Sequence, residues 1–447
     1  MRLNEWIHKE VAQVLSDFLA KETQDSVQNQ QLIKLSVITQ FFPPDYAATG
    51  QLIEELMRHL GSLGVEIEVF TSQPGYAFQS SSAPAVEQLG KVRIQRSRTA
   101  RLWPTQIRGK AINGLLYTFR AALHLLRARG RFNVLLVTTA PPFLPLLGYL
   151  AHLVFSTPYV CILYDLYPEV AIALGVIPKR HWLVKFWQHL NNQIWQSAQG
   201  IVVLSPAMRQ RLVEICPQIA EKVFVIHSWA DPDLIVPIVK QENWFAWKYD
   251  LVSKFTVLYS GNMGRCHDMD TILEAAQQLQ DEPIQFVCIG GGAKREDFIK
   301  EVNRLGLCNF TFLPYQDKQV LPYSLTACDL SLVSVDACTE SLVAPSKLYS
   351  ALASGRPIAV ICSQYSYLRQ LIDEANCGAT FDNGDSHGLA QFIRLLSHDP
   401  QLGENMGKAG RHYLRSHFTL KVISQQYLDV LQQAVLYNNA KIHFLKP

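Results

Sequence analysis

The feature that most limits how this chain can fold is a repeated alternation of strand-length apolar runs with helical patterns. It starts with an apolar run at 35–39, a helical pattern at 50–60 and a second apolar run at 65–71. This order predicts parallel strands joined by helices that cover both faces of a sheet. The alternation restarts after a linker-like stretch at 230–233 and continues to residue 381. The sequence therefore predicts an α/β fold with two doubly wound parallel-sheet domains.

The length of the chain also favours two domains. At 447 residues it exceeds the size at which a single hydrophobic core keeps growing. Hydrophobic residues make up 48% of it, which is enough for two cores. We expect an N-terminal extension with an amphipathic helix, a first domain, a second domain and a final helix that crosses back onto the first domain, with ranges 1–30, 31–230, 231–417 and 418–447. The extension packs on the first domain or lies at a membrane surface, and the sequence leaves both open.

Charge and cysteine usage limit the partners and the compartment. A net charge of +3 is too small for a protein whose main partner is a nucleic acid. The nine cysteines are scattered singly without a CxxC pair, which is typical of buried thiols in a reducing compartment. The first residues lack the uninterrupted apolar segment of a secretory signal. We therefore expect a cytoplasmic protein.

The first of three unusual loops follows the strand predicted at 256–260. In open parallel sheets, ligands bind where the carboxyl ends of strands meet helix N-termini with free N–H groups. Gly261 and Gly264 allow the backbone to approach a phosphate closely, and Arg265 adds a cation. The loop indicates a phosphate site, although a plain turn between a strand and a helix has the same pattern.

Two further loops precede predicted helices. Lys347 lies in the first turn of a helix predicted to end at residue 354, where a cation opposes the helix dipole. This placement suggests that an anion is held there, and a solvated surface lysine is the alternative. The loop at 42–50 is stiffened by two prolines and ends in small residues, so we expect it to form a wall of a cleft between the domains.

Taken in chain order, these loops resemble sequence blocks of the family 4 retaining glycosyltransferases. The likeness covers about residues 32–437. It rests on five blocks in the family's order: Phe-Pro-Pro at 42–44 with Thr-Gly at 49–50, Asp-Leu-Tyr-Pro-Glu at 165–169, Ser-Gly-Asn-Met-Gly-Arg at 260–265, Pro-Ser-Lys-Leu-Tyr at 345–349 and Ala-Ser-Gly-Arg-Pro at 353–357. The resemblance implies two facing Rossmann-like domains of the GT-B type, and it is greatest for the branch that makes bacterial exopolysaccharide, capsule or O-antigen.

The resemblance also implies which residues hold the donor. Arg265 and Lys347 match the positions at which such enzymes place cations on the diphosphate. The other donor-side residues match the loop beneath the diphosphate and the turn near the base: Gly261, Asn262, Gly264, Gly291 and Gly292. The implied reaction is transfer of a hexose from a nucleoside-diphosphate sugar with retention of configuration.

One position departs from the family pattern. Many members carry two glutamates eight positions apart, and the second contacts the ribose of the nucleotide. Aligned through Lys347, that second position is Ser350 here, and Leu342 stands eight residues before it. Glu340 is the nearest candidate for the sugar contact, and the ribose is left to Ser350 or to the backbone. The identity of the donor stays open.

The acceptor side of the cleft carries the candidates for acid–base chemistry. Asp165 follows the strand predicted at 159–163 and is the best candidate for orienting or deprotonating the acceptor. Glu169, one helical turn later, is the alternative, and an N-cap role stays open for Asp165. Thr49 and Gly50 belong to the same side. We expect no cofactor besides the donor and no divalent metal, because Arg265 and Lys347 take the diphosphate charge and no Asp-x-Asp signature is assigned to the donor site.

A cluster of cations in the first domain suggests where the acceptor meets the protein. Seven lie within twenty residues, with Trp103 among them: Lys91, Arg93, Arg96, Arg98, Arg101, Arg108 and Lys110. Such a cluster attracts an anionic surface, and a tryptophan sits at headgroup depth. We predict peripheral contact with the inner face of the plasma membrane through Arg101 and Trp103, and a glycan or lipid-linked sugar as acceptor. A solvated loop and a patch for a phosphorylated soluble acceptor are the alternatives.

Other functions share parts of this pattern. A sugar-nucleotide epimerase or dehydrogenase should show GxGxxG after the first strand, whereas Gln-Phe-Phe-Pro follows it at 40–43. A non-catalytic sugar-nucleotide binding protein would not need two cations beside a glycine loop. A phosphorylase-like enzyme would anchor pyridoxal phosphate through a lysine, and no lysine is marked for that role. Glycosyl transfer is therefore favoured.

Overall fold

A computed structural model of the chain describes residues 32–45, 48–74, 83–97 and 107–445. The predicted extension at 1–30 lies outside these residues. The described part contains two sheets of mainly parallel strands, flanked by helices. This confirms the predicted fold class.

The first sheet has eight strands in the described part of the chain. They are β1 (Lys34–Ile38), β2 (Glu66–Ser72), β3 (Val86–Leu89), β4 (Val92–Ser97), β5 (Val134–Thr138), β6 (Tyr159–Leu163), β7 (Gly200–Val203) and β8 (Val223–Val225). Their spatial order is β3-β4-β2-β1-β5-β6-β7-β8. Neighbouring strands are parallel, except for the antiparallel pair β3–β4 at one edge.

The second sheet has six described strands, all parallel. They are β9 (Phe255–Ser260), β10 (Ile284–Ile289), β11 (Phe310–Leu313), β12 (Leu330–Ser334), β13 (Ile358–Ile361) and β14 (Gly378–Phe381). Their spatial order is β11-β10-β9-β12-β13-β14. The direction of strand addition reverses beside β9, so the loop after β9 lies at the topological switch point, where open α/β sheets bind ligands.

Fifteen α-helices connect and flank these strands in the described residues. They are α1 (Ala48–Ser62), α2 (Ile107–Arg127), α3 (Pro145–Phe155), α4 (Glu169–Ala173), α5 (Trp182–Ser197), α6 (Pro206–Ile215), α7 (Trp244–Lys248), α8 (Asp270–Gln278), α9 (Arg295–Arg304), α10 (Leu321–Thr326), α11 (Lys347–Ala353), α12 (Tyr367–Ala375), α13 (Ser386–His398), α14 (Pro400–His417) and α15 (Leu420–Leu445). Within the described ranges, none of them combines the length and the apolar character that a membrane crossing needs.

Different helices cover the two faces of the first sheet. The strand order and the right-handed crossover rule place α2, α3, α5 and α6 on one face and α1 on the other. Helix α15 leaves the second domain and packs against α1 and against β5, β6 and β7. A Cβ atom at Gly200 would lie 2.9 Å from Cγ1 of Val430. This glycine therefore allows α15 to approach β7.

The buried strands are the ones that the sequence predicts best. Every residue of β5, β6 and β7 is buried, so each strand is an apolar run with clear ends. The sequence does not predict β3. This edge strand has four residues and is half exposed, so it contains no apolar run.

A partly buried ion pair joins the start of the second domain to its sheet. Nζ of Lys240 lies 2.5 Å from Oδ2 of Asp329 and also donates to the carbonyl of Lys254. The Lys240 side chain is only 9% exposed. Asp329 directly precedes β12, at the amino edge of the sheet and therefore away from the ligand-binding edge. The pair stabilises the fold.

We expect Asp329→Ala to lower the free energy of unfolding by about 3 kcal/mol, because it leaves a buried lysine charge without its partner. Urea denaturation followed by circular dichroism at neutral pH measures the change. Adding Lys240→Met to the same chain removes the isolated charge and should recover part of the loss. A single variant as stable as the wild type would contradict this role.

Candidate active site between the two domains

The two domains meet where β6 ends. Asp165 forms an isolated antiparallel bridge with Val343, and the amide of Leu166 donates to the carbonyl of Leu342 over 3.1 Å. Asp165 follows the carboxyl end of a first-domain strand, and Val343 lies between β12 and α11 of the second domain. The carboxyl edges of the two sheets therefore face each other across a cleft.

The glycine loops after β9 and β10 interlock in this cleft. The amide of Met263 donates to the carbonyl of Gly291 over 2.6 Å. A Cβ atom at Gly290 would lie 2.1 Å from the carbonyl oxygen of Gly261, and one at Gly292 would lie 2.5 Å from that of Met263. Gly290 and Gly292 also have positive φ angles, so only glycine fits at both positions. Two loops that are distant in sequence thus form one surface of closely approachable backbone.

Lys347 lies beside these loops. Its Nζ atom is 3.8 Å from the ring centroid of Tyr259, donates to the hydroxyl of Tyr259 and lies 3.5 Å from the carbonyl of Asn262. Burial lowers the pKa of Lys347 to about 7. A desolvated cation of this kind gains from a bound anion. The structure thus brings the predicted Lys347 together with the predicted Asn262 and the Gly261 loop.

Arg265 lies on the same loop, directly after Gly264. Its side chain is exposed and has no ion-pair partner in the described ranges. A Cβ atom at Gly264 would lie 2.7 Å from Nδ2 of Asn262, so this glycine shapes the loop that presents the arginine. The contact of Arg265 with a diphosphate stays a prediction.

Sequence reasoning missed two residues of this site, Lys294 and His267. Nζ of Lys294 donates to the carbonyl of His267 over 2.6 Å. Burial, with further effects from the positive charges of Lys347 and Lys294, lowers the pKa of His267 to about 3. The histidine is therefore neutral in a region of positive potential. Lys294 directly precedes α9 and follows the three glycines at 290–292. Like Lys347, it is a lysine at the start of a helix, and this is the sequence signal that the two residues share.

A cavity of about 510 Å³ between the domains is lined by Glu169 and Glu340. Glu169 is 6% exposed, and Gln188 donates to its Oε1 over 3.0 Å. Glu340 is 5% exposed, and the amide of Ser363 donates to its Oε2 over 3.1 Å. Burial raises the pKa of Glu340. Oε2 of Glu169 and Oε1 of Glu340 are buried without a partner in the described part of the chain, which is an arrangement that a ligand with hydroxyl donors would satisfy.

Asp165 stands at the domain junction. It is half-buried, and burial raises its pKa to about 6. The N-cap alternative is wrong, because the N-cap of α4 is Pro168 and no side chain caps this helix. Burial and then the charge of Asp165 raise the pKa of the Cys266 thiol, next to Arg265. The carboxylate therefore lies close to the loop of the second domain.

The other predicted residues lie near the cleft and are also engaged by the fold. Gly50 is in the first turn of α1, where a Cβ atom would lie 3.0 Å from the backbone of Phe41. Close packing of the loop on the helix accounts for this glycine, so the space beside it is not open to a ligand. Thr49 is half-buried. The hydroxyl of Ser350 donates to the carbonyl of Lys347 over 3.0 Å. Substrate contacts of these residues stay predictions.

Two Asp-x-Asp triplets do occur in the sequence, at 231–233 and 268–270. The first lies in the linker between the domains. In the second, Asp268 accepts from the amide of Thr271 over 3.0 Å and from the side chain of Asn383 over 2.9 Å. Asp268 is therefore engaged in joining the first turn of α8 to the loop after β14. The expectation of a reaction without a metal stays a prediction.

The predicted cation cluster contains one residue that does not belong to a surface patch. Arg96 is buried, lies 2.7 Å from Glu87 in an ion pair and donates to the carbonyl of Pro43 over 2.7 Å. It joins β4 to β3 and to the loop after β1. Lys91 and Arg93 are exposed. The remaining members lie outside the described residues or have side chains that do: Arg98, Arg101, Trp103, Arg108 and Lys110.

Both halves of the chain match families of known proteins. Residues 48–229 match the glycosyl transferase 4-like domain, and residues 245–413 match the glycosyl transferases group 1. The first match covers most of the first sheet and the second covers the whole of the second sheet. The two family matches therefore correspond to the two sheets.

Individual relatives agree with these matches. The probable glycosyltransferase WbjE of Pseudomonas aeruginosa is 25% identical over 369 residues, which are 81% of this chain and 89% of WbjE. The putative colanic acid biosynthesis glycosyl transferase WcaI of Escherichia coli is 35% identical over 121 residues, 27% of this chain and 30% of WcaI. Among solved structures, Anabaena HepE in complex with UDP-glucose has a TM-score of 0.67 at 16% identity, over 90% of this chain and 99% of HepE. That last likeness shows a shared fold.

Proposed function

Since this chain belongs to the two-domain glycosyltransferases, we propose that it is a retaining, metal-independent enzyme that transfers a hexose from a nucleoside-diphosphate sugar. The acceptor is a glycan or a lipid-linked sugar in the synthesis of a cell-surface polysaccharide. One observation carries the donor assignment: Lys347, a desolvated cation, lies beside two interlocked glycine loops at the switch point of the second sheet. A dehydrogenase or epimerase is disfavoured, because β1 leads into residues 39–45 without a GxGxxG turn.

The donor loops suit a diphosphate. Glycines allow backbone N–H groups to approach its oxygens, and Lys347 neutralises the charge that grows as the diphosphate leaves. A bound diphosphate raises the pKa of Lys347 from about 7, so binding takes up a proton above neutral pH. Arg265 closes on the same anion from its exposed loop. UDP-sugars are the first donors to test, because HepE was solved with UDP-glucose.

The unpartnered carboxylate oxygens of the cavity support the sugar sites. Oε1 of Glu340 accepts a hydroxyl of the transferred sugar on the donor side, and Oε2 of Glu169 accepts one from the acceptor. Hydrogen bonds to carboxylate oxygens are directional, so they orient both sugars. Glu340 thereby takes the sugar contact that the missing glutamate of the family pattern leaves open.

Asp165 orients the attacking hydroxyl. As the diphosphate leaves, the anomeric carbon becomes oxocarbenium-like and the acceptor oxygen bonds to it. The acceptor proton goes to Asp165 or to an oxygen of the leaving diphosphate on the same face of the sugar. With a pKa of about 6, Asp165 is ionised at neutral pH and basic enough to accept that proton.

Thermal unfolding with UDP-, GDP- and ADP-sugars tests the donor assignment. A ligand at a hundred times its Kd stabilises the folded chain by about 2.7 kcal/mol, which raises Tm by a few degrees. One nucleotide class should give this shift, and Lys347→Ala should abolish it without unfolding the protein. Both the shift and the transfer rate should persist in EDTA.

Two outcomes would defeat these assignments. If no sugar nucleotide stabilises the protein, the donor site is not at Lys347. Complete loss of transfer in EDTA, restored by Mg²⁺ or Mn²⁺, shows that a metal carries the diphosphate charge.

A further inference from the structure

Three helices on one face of the first sheet expose much of the apolar surface of the molecule. Helix α2 packs on α3, and α3 packs on α5. Nine of the twenty-two large apolar side chains that are exposed in the described residues belong to these three helices. Exposed apolar surface that is contiguous marks a site of interaction with a partner or a membrane.

The exposed apolar side chains form stripes along the helices. On α2, Leu115, Phe119 and Leu126 are 55%, 63% and 56% exposed, and their spacing of four and seven residues places them on one side. On α5, Trp182 and Phe186 are 68% and 59% exposed and are again four residues apart. The opposite sides of both helices pack on the sheet, so the stripes point outward in the same direction.

This helical layer carries positive charge without acidic residues. Between residues 88 and 164 the sequence contains eleven lysines and arginines and no aspartate or glutamate. Helix α5 also contains no acidic residue. An apolar surface bordered by cations matches an anionic lipid bilayer, in which acyl chains lie beneath negatively charged headgroups. The surface of a globular protein rarely has this layering.

A groove of about 390 Å³ between α2 and β4 adds a defined anion site to this layer. Four arginines line it: Arg93, Arg120, Arg127 and Arg131. Within the ranges covered by the structure, none of them has an ion-pair partner.

The base of the groove is an unsatisfied histidine. His124 is 7% exposed and stacks on Phe70 with ring centroids 4.3 Å apart. Its Nε2 atom is buried and has no partner among the described residues. Burial lowers the pKa of His124, and the nearby Glu68 carboxylate raises it. The four guanidinium groups around this histidine outnumber that one carboxylate and give phosphate oxygens charge-assisted donors.

We propose that α2, α3 and α5 dock on an anionic membrane surface, with lipid phosphate groups bound in the arginine groove between α2 and β4. The apolar stripes then lie at the boundary between headgroups and acyl chains. Helices α2 and α3 begin at the carboxyl edge of the first sheet, so this docking holds the mouth of the cleft next to the membrane. The purpose of the docking rests on the proposed function, because only a lipid-linked acceptor requires it.

Sedimentation of the full chain with vesicles tests the proposal. At low salt the protein should bind vesicles of equal parts phosphatidylcholine and phosphatidylglycerol, and should bind phosphatidylcholine vesicles weakly. Arg120→Ser with Arg127→Ser should weaken binding to the anionic vesicles by at least about tenfold. Phe119→Ser with Leu126→Ser should weaken binding as well and leave its salt dependence unchanged, since it removes apolar contact only.

Lys300→Ser with Arg304→Ser is the matched control. It also removes two exposed cations, from α9 in the second domain, and should leave vesicle binding unchanged. Equal loss in the control and in the α2 variant would mean that net charge, rather than the groove, causes binding, and would overturn the proposal.

Three other results would overturn it. The wild type could stay in the supernatant with anionic vesicles at low salt. It could bind glycerol phosphate or inorganic phosphate in calorimetry without binding vesicles, which would make the groove a site for a soluble ligand. Hydroxyl-radical footprinting could show the side chains of Phe119 and Trp182 protected from oxidation without vesicles, which would mean that another segment of this chain or a second copy covers them. Because donor-induced thermal shift is measured separately, failure of the docking and failure of the proposed function are distinguishable.

Discussion

Replacing Lys347 by alanine is expected to lower kcat/KM by about a hundred- to a thousandfold while the fold survives. The Nζ atom lies over the ring of Tyr259 beside the glycine loops, where a leaving diphosphate gains charge in the transition state. Burial lowers the pKa of this lysine to about 7, so its charged form is unfavourable in the empty site. Its removal therefore should not destabilise the folded chain.

The rate is measured with the donor that thermal unfolding identifies, and circular dichroism checks the fold. Lys347→Arg keeps the charge with a different shape and should retain more activity than the alanine variant. Lys408→Ala is the matched control, because Lys408 is an exposed lysine of α14 that pairs with Glu404. Wild-type turnover of Lys347→Ala would show that the diphosphate binds elsewhere.

Replacing Asp165 by asparagine is expected to lower kcat by about a hundred- to ten-thousandfold and to make the protein more stable above neutral pH. The side chain keeps its size but can no longer accept a proton. The wild-type rate should fall as the pH drops through about 6, where the carboxylate becomes protonated. That acidic limb should be absent from the residual activity of the variant.

The stability change follows from the raised pKa of Asp165. In the folded chain this pKa is about 6, whereas in the unfolded chain it is about 4. Between these values the folded state binds more protons than the unfolded state, so stability is lost as the pH rises through this window. Asparagine removes that loss, and urea denaturation at pH 8 should show a gain of up to about 2 kcal/mol that disappears at pH 3. Unchanged kcat without a gain in stability would contradict both roles.

The sheets could be predicted because parallel strands are buried on both faces. In β13, for example, every residue is buried, so the strand is an apolar run that no amphipathic helix would show. Lys347 could be predicted for a related reason, since a lysine at the start of a helix is locally unfavourable and therefore conspicuous. The same reasoning applied to Lys294 would have found it.

Contacts between distant segments could not be predicted. The sequence places Glu169 and Glu340 on opposite sides of the cleft, but nothing in either segment indicates that both line one cavity with an unsatisfied oxygen each. In the sequence, Arg96 is one of seven clustered cations. Its burial depends on contacts with Glu87 and with the carbonyl of Pro43, which the sequence does not indicate. The arginines of the groove are likewise brought together only by the packing of α2 beside β4.

The course of α15 has a consequence for how such enzymes exchange parts during evolution. This helix follows the second domain in the chain but packs on the sheet of the first, where Gly200 makes room for Val430. If a donor domain were acquired from a relative together with that relative's last helix, the helix would have a surface shaped to pack on a different sheet. Donor specificity can therefore pass between such enzymes most easily when residues 420–445 stay with the recipient. The part that the recipient keeps, the first domain with α15, is then encoded by two segments of the gene, one before and one after the segment that is exchanged.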